Sequence, residues 1–298
     1  MALKINYKIL FVKKFKIKSF CKINLSLRVL KKLNNGYHSI KSLITFCDLC
    51  DTISISKIKG SKDHITFSGK FKKGINKKSN TVIKVLQQLR KRNFFKEQMF
   101  KINIKKNIPQ GSGLGGGSGN AASLLNFFAN KMNINLTNSQ IENIANQIGS
   151  DVPLYLKKKN TLITGKNGVI LRLNHKFKLS VLIVYPNIIC STKKIYKKNK
   201  VFSPSKSEIS FSKKNKKQLI LYLKNEKNDL EKIVVKLYSK VGQVIDVLKS
   251  QKGCYFSRIT GSGSACIGAF SNMNAAILTQ KLIKLKFPKY WSHVSKIM

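Results

Sequence analysis

The stretch Pro109-Gln-Gly-Ser-Gly-Leu-Gly-Gly-Gly-Ser-Gly-Asn-Ala-Ala-Ser123 constrains the fold of this chain more than any other part of it. Its glycines let successive backbone amides turn inward with no side chain in the way. It runs directly into an Ala- and Leu-rich segment that reads as a buried helix over Ser118 to Asn130. A glycine loop that ends on a helix start offers free N–H groups and the positive end of the helix dipole, which together make an anion cradle. A flexible linker would not lead into so apolar a helix.

The type of cradle can be narrowed. Gly111, Gly113 and Gly116 satisfy G-x-G-x-x-G, but no Asp or Glu follows about twenty residues on to hold a ribose, and Pro109 interrupts the strand-to-turn entry. No Gly-Lys-Ser/Thr stands at Walker A spacing, and the Val of the protein-kinase glycine loop is absent.

Around this loop, Ser19 to Leu30 and Leu43 to Ser56 read as strands with an Asn35-Gly36 turn between them. Asn80 is a candidate cap for a helix carrying Val82, Ile83, Val85, Leu86 and Leu89, and Phe100, Ile102 and Ile104 alternate as a strand. Thr137-x-x-Gln140 has capping-box spacing before a helix that stops at Gly149. Val181 to Val184 reads as a buried strand and Lys197 to Lys217 as a Lys/Ser-rich surface excursion. Asn228 to Leu248 has helical spacing with a break expected at Gly242, and Thr260-Gly-Ser-Gly-Ser264 turns into an apolar strand ending at Phe270. Helices and strands interleave in both halves, so the class is α+β, with a boundary near residues 172–180. The expected domains are 1–175 and 176–298.

The chain has 298 residues and a net charge of +47, from 58 basic and 11 acidic side chains. Such charge invites a nucleic-acid reading. However, the five arginines (Arg28, Arg90, Arg92, Arg172, Arg258) leave 53 lysines, although arginine supplies the bidentate fork favoured in phosphate and base recognition. The lysines are scattered through nearly every segment alongside abundant Asn and Ile, as drift toward A- and T-rich codons would produce. Nucleic acid is therefore not the expected partner. Among six cysteines only Cys47 and Cys50 have C-x-x-C spacing, with no second ligand pair for zinc. Lys4 and Lys8 interrupt any signal-like apolar run, and Val181 to Tyr185 is far short of the ~18 residues of a membrane span. A cytoplasmic protein with no membrane partner is expected.

With so few acids, candidates for a carboxylate base are few. Asp151 differs from the rest: a helix stop, a small residue and a following proline hold it in a short loop about thirty residues after the glycine loop.

Three blocks stand in order: Lys22-Ile-Asn-Leu-Ser-Leu, the glycine loop with its Gly-Leu-Gly-Gly-Gly-Ser-x-Asn-Ala-Ala core, and Thr260-Gly-Ser-Gly-Ser-Ala-Cys. In these the chain resembles the GHMP small-molecule kinases. Further agreements narrow the resemblance to the branch whose substrate is a cytidine-diphosphate-linked methylerythritol. They are Gly36-Tyr37-His38, Asp48-Leu-x-Asp51-x-Ile-Ser, Gly149-Ser-Asp151-Val-Pro, Pro186 with Thr192, and Asn228-Asp229-Leu-Glu231. The resemblance spans about residues 18 to 270.

It implies a two-domain kinase with a ferredoxin-like carboxy-terminal domain that transfers the ATP γ-phosphoryl group to the 2-hydroxyl of the cytidylated substrate, in non-mevalonate isoprenoid synthesis. By the same matching, Asp151 is the base and Lys22 its partner. Pro109, Gly111, Ser112, Gly113, Leu114, Gly115, Gly116, Gly117 and Ser118 would wrap the ATP phosphates, with Asn80 and Lys106 approaching the nucleotide. Asn24 would contact the methylerythritol end, His38 the cytosine edge, and Tyr37 and Tyr196 its faces. Thr192, Gly261, Ser262 and Gly263 would complete the substrate side. ATP is implied as co-substrate and Mg2+ as its companion, with no protein metal ligand identified. The alternatives are another member of the superfamily, of homoserine or mevalonate type, and a non-enzymatic basic nucleic-acid-binding protein. Three positions depart from the pattern: Gly119 where Ser is common, Ser112 where Gly is common, and Cys21 in place of a small Ala.

Overall fold

A computed structural model describes residues 13–76, 78–132, 134–164, 168–174, 177, 179–204 and 215–298. The middle of the Lys/Ser-rich stretch (205–214), residues 175, 176 and 178 of the expected boundary, and Lys4 and Lys8 lie outside the described residues.

The first sheet is organised by one long strand. β1 (Lys14–Asn24), β2 (Arg28–Lys32), β3 (His38–Ile58), β4 (His64–Ser68), β5 (Met99–Lys105), β6 (Asn160–Thr164) and β7 (Val169–Leu173) pair in the order β4-β5-β3-β6-β7, with β1 and β2 also on β3. β4 and β5 are parallel; the other pairs are antiparallel. Helices α1 (Thr81–Arg90), α2 (Gly116–Lys131) and α3 (Asn138–Ile148) share one core with this sheet, including Phe100, Phe128, Leu124 and Ile144. The caps explain where two of them begin. The Asn80 carboxamide accepts the Val82 and Ile83 N–H groups, and Thr137 with Gln140 closes a reciprocal capping box.

The second sheet contains β8 (Ser180–Tyr185), β9 (Cys254–Ile259), β10 (Cys266–Phe270) and β11 (Trp291–Lys296), all antiparallel in the order β11-β8-β10-β9. Helices α4 (Thr192–Lys198), α5 (Lys216–Asn225), α6 (Glu231–Leu237) and α7 (Ser239–Lys249) intervene between β8 and β9, and α8 (Met273–Lys286) between β10 and β11. This is the ferredoxin-like arrangement. A core on the helical face gathers Val184, Val241, Val244, Ile245 and Ile283. Another joins the two sheets, packing Ile23, Leu25 and Leu43 with Val181, Ile183 and Ile267. The carboxy terminus adds a backbone tie from the Met298 N–H to the Phe46 carbonyl at 3.0 Å. Among the described residues, no helix is long and apolar enough to cross a membrane.

Three expectations change. The strand read over Ser19 to Leu30 is two strands, because the regular pairing with β3 stops after Asn24, the Leu25 and Ser26 N–H groups both turn to the Leu43 carbonyl, and Leu27 bridges to Asn228. The long helix after Asn228 breaks at Tyr238 rather than Gly242. Gly242 serves close packing: a Cβ there would lie 2.9 Å from Val235 Cγ1 of the preceding helix. The ends of the Lys/Ser-rich stretch are built into the fold, since Lys197 and Lys198 lie in α4 and Asn199 and Ser203 are buried.

Candidate active site

The glycine loop is held open from both sides. Gly115 precedes α2 in the left-handed region (φ 67°), and no side chain caps the helix. The first intrahelical bond runs from the Gly119 N–H to the Gly115 carbonyl at 3.0 Å, so the amides of Gly116, Gly117 and Ser118 precede it and are free of the α-helical ladder. A Cβ on Gly115 would meet the Tyr155 hydroxyl at 1.8 Å, and one on Gly113 (φ 82°) would meet the Thr260 carbonyl at 2.1 Å. These two glycines are demanded by close approach as well as by conformation. The Ser112 hydroxyl donates to the Pro109 carbonyl at 2.7 Å, and the Ser112 carbonyl accepts the Ala265 N–H at 3.0 Å, tying the loop to the second sheet. Gly119 stands where α2 crosses β1, and a Cβ there would lie 3.0 Å from both Ser19 Oγ and Tyr155 Cε1, which gives a packing reason for that departure.

Lys22 comes to the cleft from β1, where the pairing with β3 shifts register between Phe20 and Lys22. Such a bulge re-aims a side chain. The Lys22 ammonium donates to Asn24 Oδ1 at 2.6 Å and lies 3.9 Å from Asp151 Oδ2. The Asn24 amide nitrogen donates to Ser42 Oγ at 2.7 Å, and the Asn24 backbone N–H to Thr260 Oγ1 at 2.8 Å. Both ends of the Asn24 carboxamide are therefore committed, one of them to aiming Lys22. Burial lowers the Lys22 pKa, and the neighbouring Asp151 charge opposes that shift.

Asp151 precedes a single 3-10 turn, Val152–Tyr155, that follows the stop of α3. The Arg172 guanidinium holds this turn, donating to the Leu154 and Pro153 carbonyls, each at 2.8 Å. The Asp151 side chain is 49% exposed against 7% for Lys22. The carboxylate thus faces the open cleft from a fixed backbone, with a buried cation behind it.

Lys106, at the end of β5, forms a buried ion pair with Asp51. The other carboxylate oxygen of Asp51 accepts the Asn107 and Ile108 N–H groups at 2.7 and 2.9 Å. This pair fixes the entry to the glycine loop and leaves Lys106 on the cleft wall beside Gly116.

The far wall is aromatic and comes from both halves. The His38 ring centroid is 5.1 Å from that of Tyr196 and 6.5 Å from that of Phe202. Burial, reinforced by Lys32, lowers the His38 pKa and favours the neutral imidazole. Burial, with a contribution from Asp151, raises the Tyr196 hydroxyl pKa. Thr192 and Ser262 share a hydroxyl hydrogen bond of 2.8 Å across the second half, while Asn228 Nδ2 donates to the Gly261 carbonyl at 2.8 Å.

Lys22, Asp151, Lys106, the glycine loop and the aromatic wall line one cleft of about 1840 Å³. Three of the expected site residues do not line it. Asn80 spends its carboxamide on the α1 cap, and its neighbour Thr81 reaches the loop instead, donating to the Gly117 carbonyl at 2.8 Å. Leu114 is buried in the inter-sheet core, with its carbonyl accepting the Lys22 N–H at 3.1 Å. Gly263 lies behind the turn, its N–H bonded to the Thr260 carbonyl at 3.0 Å. Sequence reasoning missed Phe202, Lys193 and Lys200 on the wall. All three lie in or beside a lysine-rich run whose composition marks no site.

The GHMP kinases N terminal domain model matches residues 80–157, and the GHMP kinases C terminal model matches residues 213–289. A 4-diphosphocytidyl-2-C-methyl-D-erythritol kinase of Pelagibacter ubique is 39% identical, over 95% of this chain and 98% of its own. Similar kinases of Caldanaerobacter subterraneus and Anaplasma phagocytophilum are 34% and 31% identical, over 92% and 96% of this chain and 94% and 95% of their own. In structure, a 4-(cytidine 5'-diphospho)-2C-methyl-D-erythritol kinase superposes with TM-score 0.72 at 21% identity, covering 95% of this chain and 99% of that one. A homoserine kinase from Cytophaga hutchinsonii superposes almost as well, with TM-score 0.71 at 17% identity over 96% of this chain and 94% of that one. The backbone shape is thus common to kinases of different substrates, and the sequence relatives resolve the branch. The chain belongs to the 4-diphosphocytidyl-2-C-methyl-D-erythritol kinases of the GHMP kinase family.

Proposed function

We infer that the protein transfers the γ-phosphoryl group of ATP to the 2-hydroxyl of 4-diphosphocytidyl-2-C-methyl-D-erythritol, a step in isoprenoid-precursor synthesis. The observation that carries this reading is the presence in one cleft of the Lys22–Asp151 pair, the open glycine loop and an aromatic wall with a neutral histidine. A small acyclic alcohol such as homoserine or mevalonate has no ring for that wall to grip. Neutral imidazole keeps one acceptor nitrogen and one N–H, so it can accept from the N4 amino group or donate to N3 of a cytosine edge, one contact at a time.

In this reading the ATP phosphates lie along Gly111 to Ser118, against the free amides at the start of α2. The acceptor hydroxyl enters from the His38 side and meets Asp151 Oδ2, which takes its proton as the oxygen attacks in line. Lys22 keeps the carboxylate ionised and faces the charge that spreads over the transferring group. Asn24 aims Lys22 and walls the methylerythritol end. Tyr37 and Tyr196 flank the base, and Lys106 approaches the nucleotide. From the second half, Thr192, Gly261 and Ser262 brace the acceptor. The division into 1–175 and 176–298 puts the phosphate loop and base in one half and this bracing in the other.

Among the described residues, no three His, Cys, Asp or Glu side chains converge as a metal cluster, and Asp151 is the one carboxylate among the cleft-lining residues. Magnesium in this reading arrives held by the ATP phosphates, where it neutralises their charge. No role above depends on a protein-held ion. The test is a substrate panel with ATP: the cytidylated methylerythritol, homoserine and mevalonate. Turnover of the first alone is expected. Turnover of either small alcohol with the first ignored would overturn the reading.

A further inference from the structure

Asp151 takes its direction from the backbone that carries it, because the Lys22 ammonium at 3.9 Å stands beyond hydrogen-bond length. That backbone enters the turn Val152–Tyr155, whose own bonds are long. The Leu154 N–H reaches the Asp151 carbonyl and the Leu156 N–H the Pro153 carbonyl, each at 3.3 Å. Pro153 has no N–H with which to add another. Bonds of that length and of 3-10 geometry are weak, so a base on this turn needs a hold from outside it.

Arg172 supplies that hold. Its Nη1 donates to the Leu154 carbonyl at 2.8 Å, the Thr161 hydroxyl at 2.8 Å and the Lys157 carbonyl at 3.2 Å, and its Nη2 to the Pro153 carbonyl at 2.8 Å. Bonds donated by a cation are the stronger kind, and here they outnumber the two 3.3 Å bonds within the turn. A lysine would not span these acceptors, since its ammonium is a point charge on a flexible stem. In a chain with 53 lysines and five arginines, this position uses the planar fork that only the guanidinium has.

The sheet sets this hold in register with the one on Lys22. Asn24 of β1 pairs with Ile44 of β3, Ile44 with Thr161 of β6, and Thr161 with Arg172 of β7. One row across four strands therefore carries, at one end, the side chain that aims Lys22 and, at the other, the side chain that grips the Asp151 turn. A shift at either end alters the spacing between ammonium and carboxylate.

We propose that Arg172 is a positioning residue for the phosphoryl transfer, acting through Asp151 by fixing the turn that presents its carboxylate. This rests on the functional reading above, in which Asp151 takes the proton of the acceptor hydroxyl.

The test is a double-mutant cycle on the full chain with labelled ATP and the cytidylated methylerythritol, using wild type, Arg172→Met, Asp151→Asn and the double variant. Arg172→Met lowers kcat about 10–10²-fold, because the base is displaced from the line of attack. The KM values for both substrates stay at wild-type levels. In the Asp151→Asn background the same substitution lowers the residual kcat less than about twofold, since no base is left to aim. Arg172→Lys keeps the stem and the charge and guards against a failure to fold; its kcat falls between wild type and Arg172→Met, with the same dependence on background. A wild-type kcat in both Arg172 variants would overturn the proposal. So would an equal fold-loss in the two backgrounds, or a rise in the KM for ATP in step with the loss, since either marks a general disturbance of the fold. Near-normal turnover in Asp151→Asn, or a wild-type enzyme that ignores the cytidylated substrate, would overturn the reading beneath, and both are seen in chains that keep Arg172.

Discussion

The Tyr155 hydroxyl donates to the Leu114 carbonyl at 3.2 Å, and the same carbonyl accepts the Lys22 N–H at 3.1 Å. One peptide oxygen therefore joins three pieces of chain: the strand that carries Lys22, the glycine loop, and the turn that carries Asp151. Tyr155→Phe removes one arm of this junction while the carbonyl keeps the other. We expect a loss of about 1 kcal/mol in stability, measured by urea unfolding, and little change in KM for either substrate. Gly115→Ala acts on the same junction differently, by forcing a methyl group toward the Tyr155 hydroxyl. It should displace the loop and raise the KM for ATP about tenfold, with part of the loss recovered in the Tyr155→Phe background.

Asp151→Asn keeps the shape of the side chain and removes its ability to take the proton. A fall in kcat of about 10²–10⁴-fold is expected, with ATP binding retained in calorimetry. Lys22→Met withdraws the cation and leaves Asn24 Oδ1 without its donor. Its expected cost in kcat is about 10²–10³-fold. Near-normal turnover in Asp151→Asn would remove Asp151 from its assigned role.

The pH dependence has two limbs with opposite signs. His38 has its pKa lowered from 6.5, so it is neutral at pH 7 and gains a proton only on acidification below 6.5. The KM for the cytidylated substrate should stay flat around neutrality and rise below that point, as the imidazole loses its acceptor. Lys22 has its pKa lowered from 10.5 and is charged below its shifted value. The alkaline limb of kcat/KM should therefore fall before pH 10.5 is reached. A limb centred above 10.5 would contradict the burial that lowers it.

The cleft gathers lysines around its one lining carboxylate. Lys22, Lys32, Lys106, Lys193, Lys197 and Lys200 line it against the single carboxylate of Asp151, and both substrates are polyanions. Raising salt should lower kcat/KM with a smaller effect on kcat, because exposed charges act mainly on encounter. Lys200→Glu should lower kcat/KM in low salt and converge on wild type in high salt. A salt-independent kcat/KM would contradict the steering.

Much of this was legible in the sequence because short-range rules set it. The α1 and α3 caps, the glycine loop running into α2, and the rigid setting of Asp151 all depend on neighbours within a few residues. What could not be read depends on contacts distant in sequence. The Asp51 partner of Lys106 lies 55 residues away, and the anchor of Ser203 on Asp229 lies 26 away. Gly242 looked like a helix break because composition does not show the Val235 side chain it must admit. Phe202 had no signal at all, since its place on the cleft wall comes from the bonds of its neighbours, such as that of Ser203 to Val29 of β2. The net charge of +47, the most conspicuous number in the sequence, says least about the site, where about half a dozen of the 53 lysines meet the cleft.

The central claim is tested most directly by phosphorus NMR of the product formed from ATP and 4-diphosphocytidyl-2-C-methyl-D-erythritol by the purified chain, with Asp151→Asn run alongside. The account predicts a new phosphomonoester resonance on the 2-oxygen, appearing in step with ADP, and its near disappearance in the variant. ADP released without that ester, or an ester formed equally well by Asp151→Asn, would contradict it.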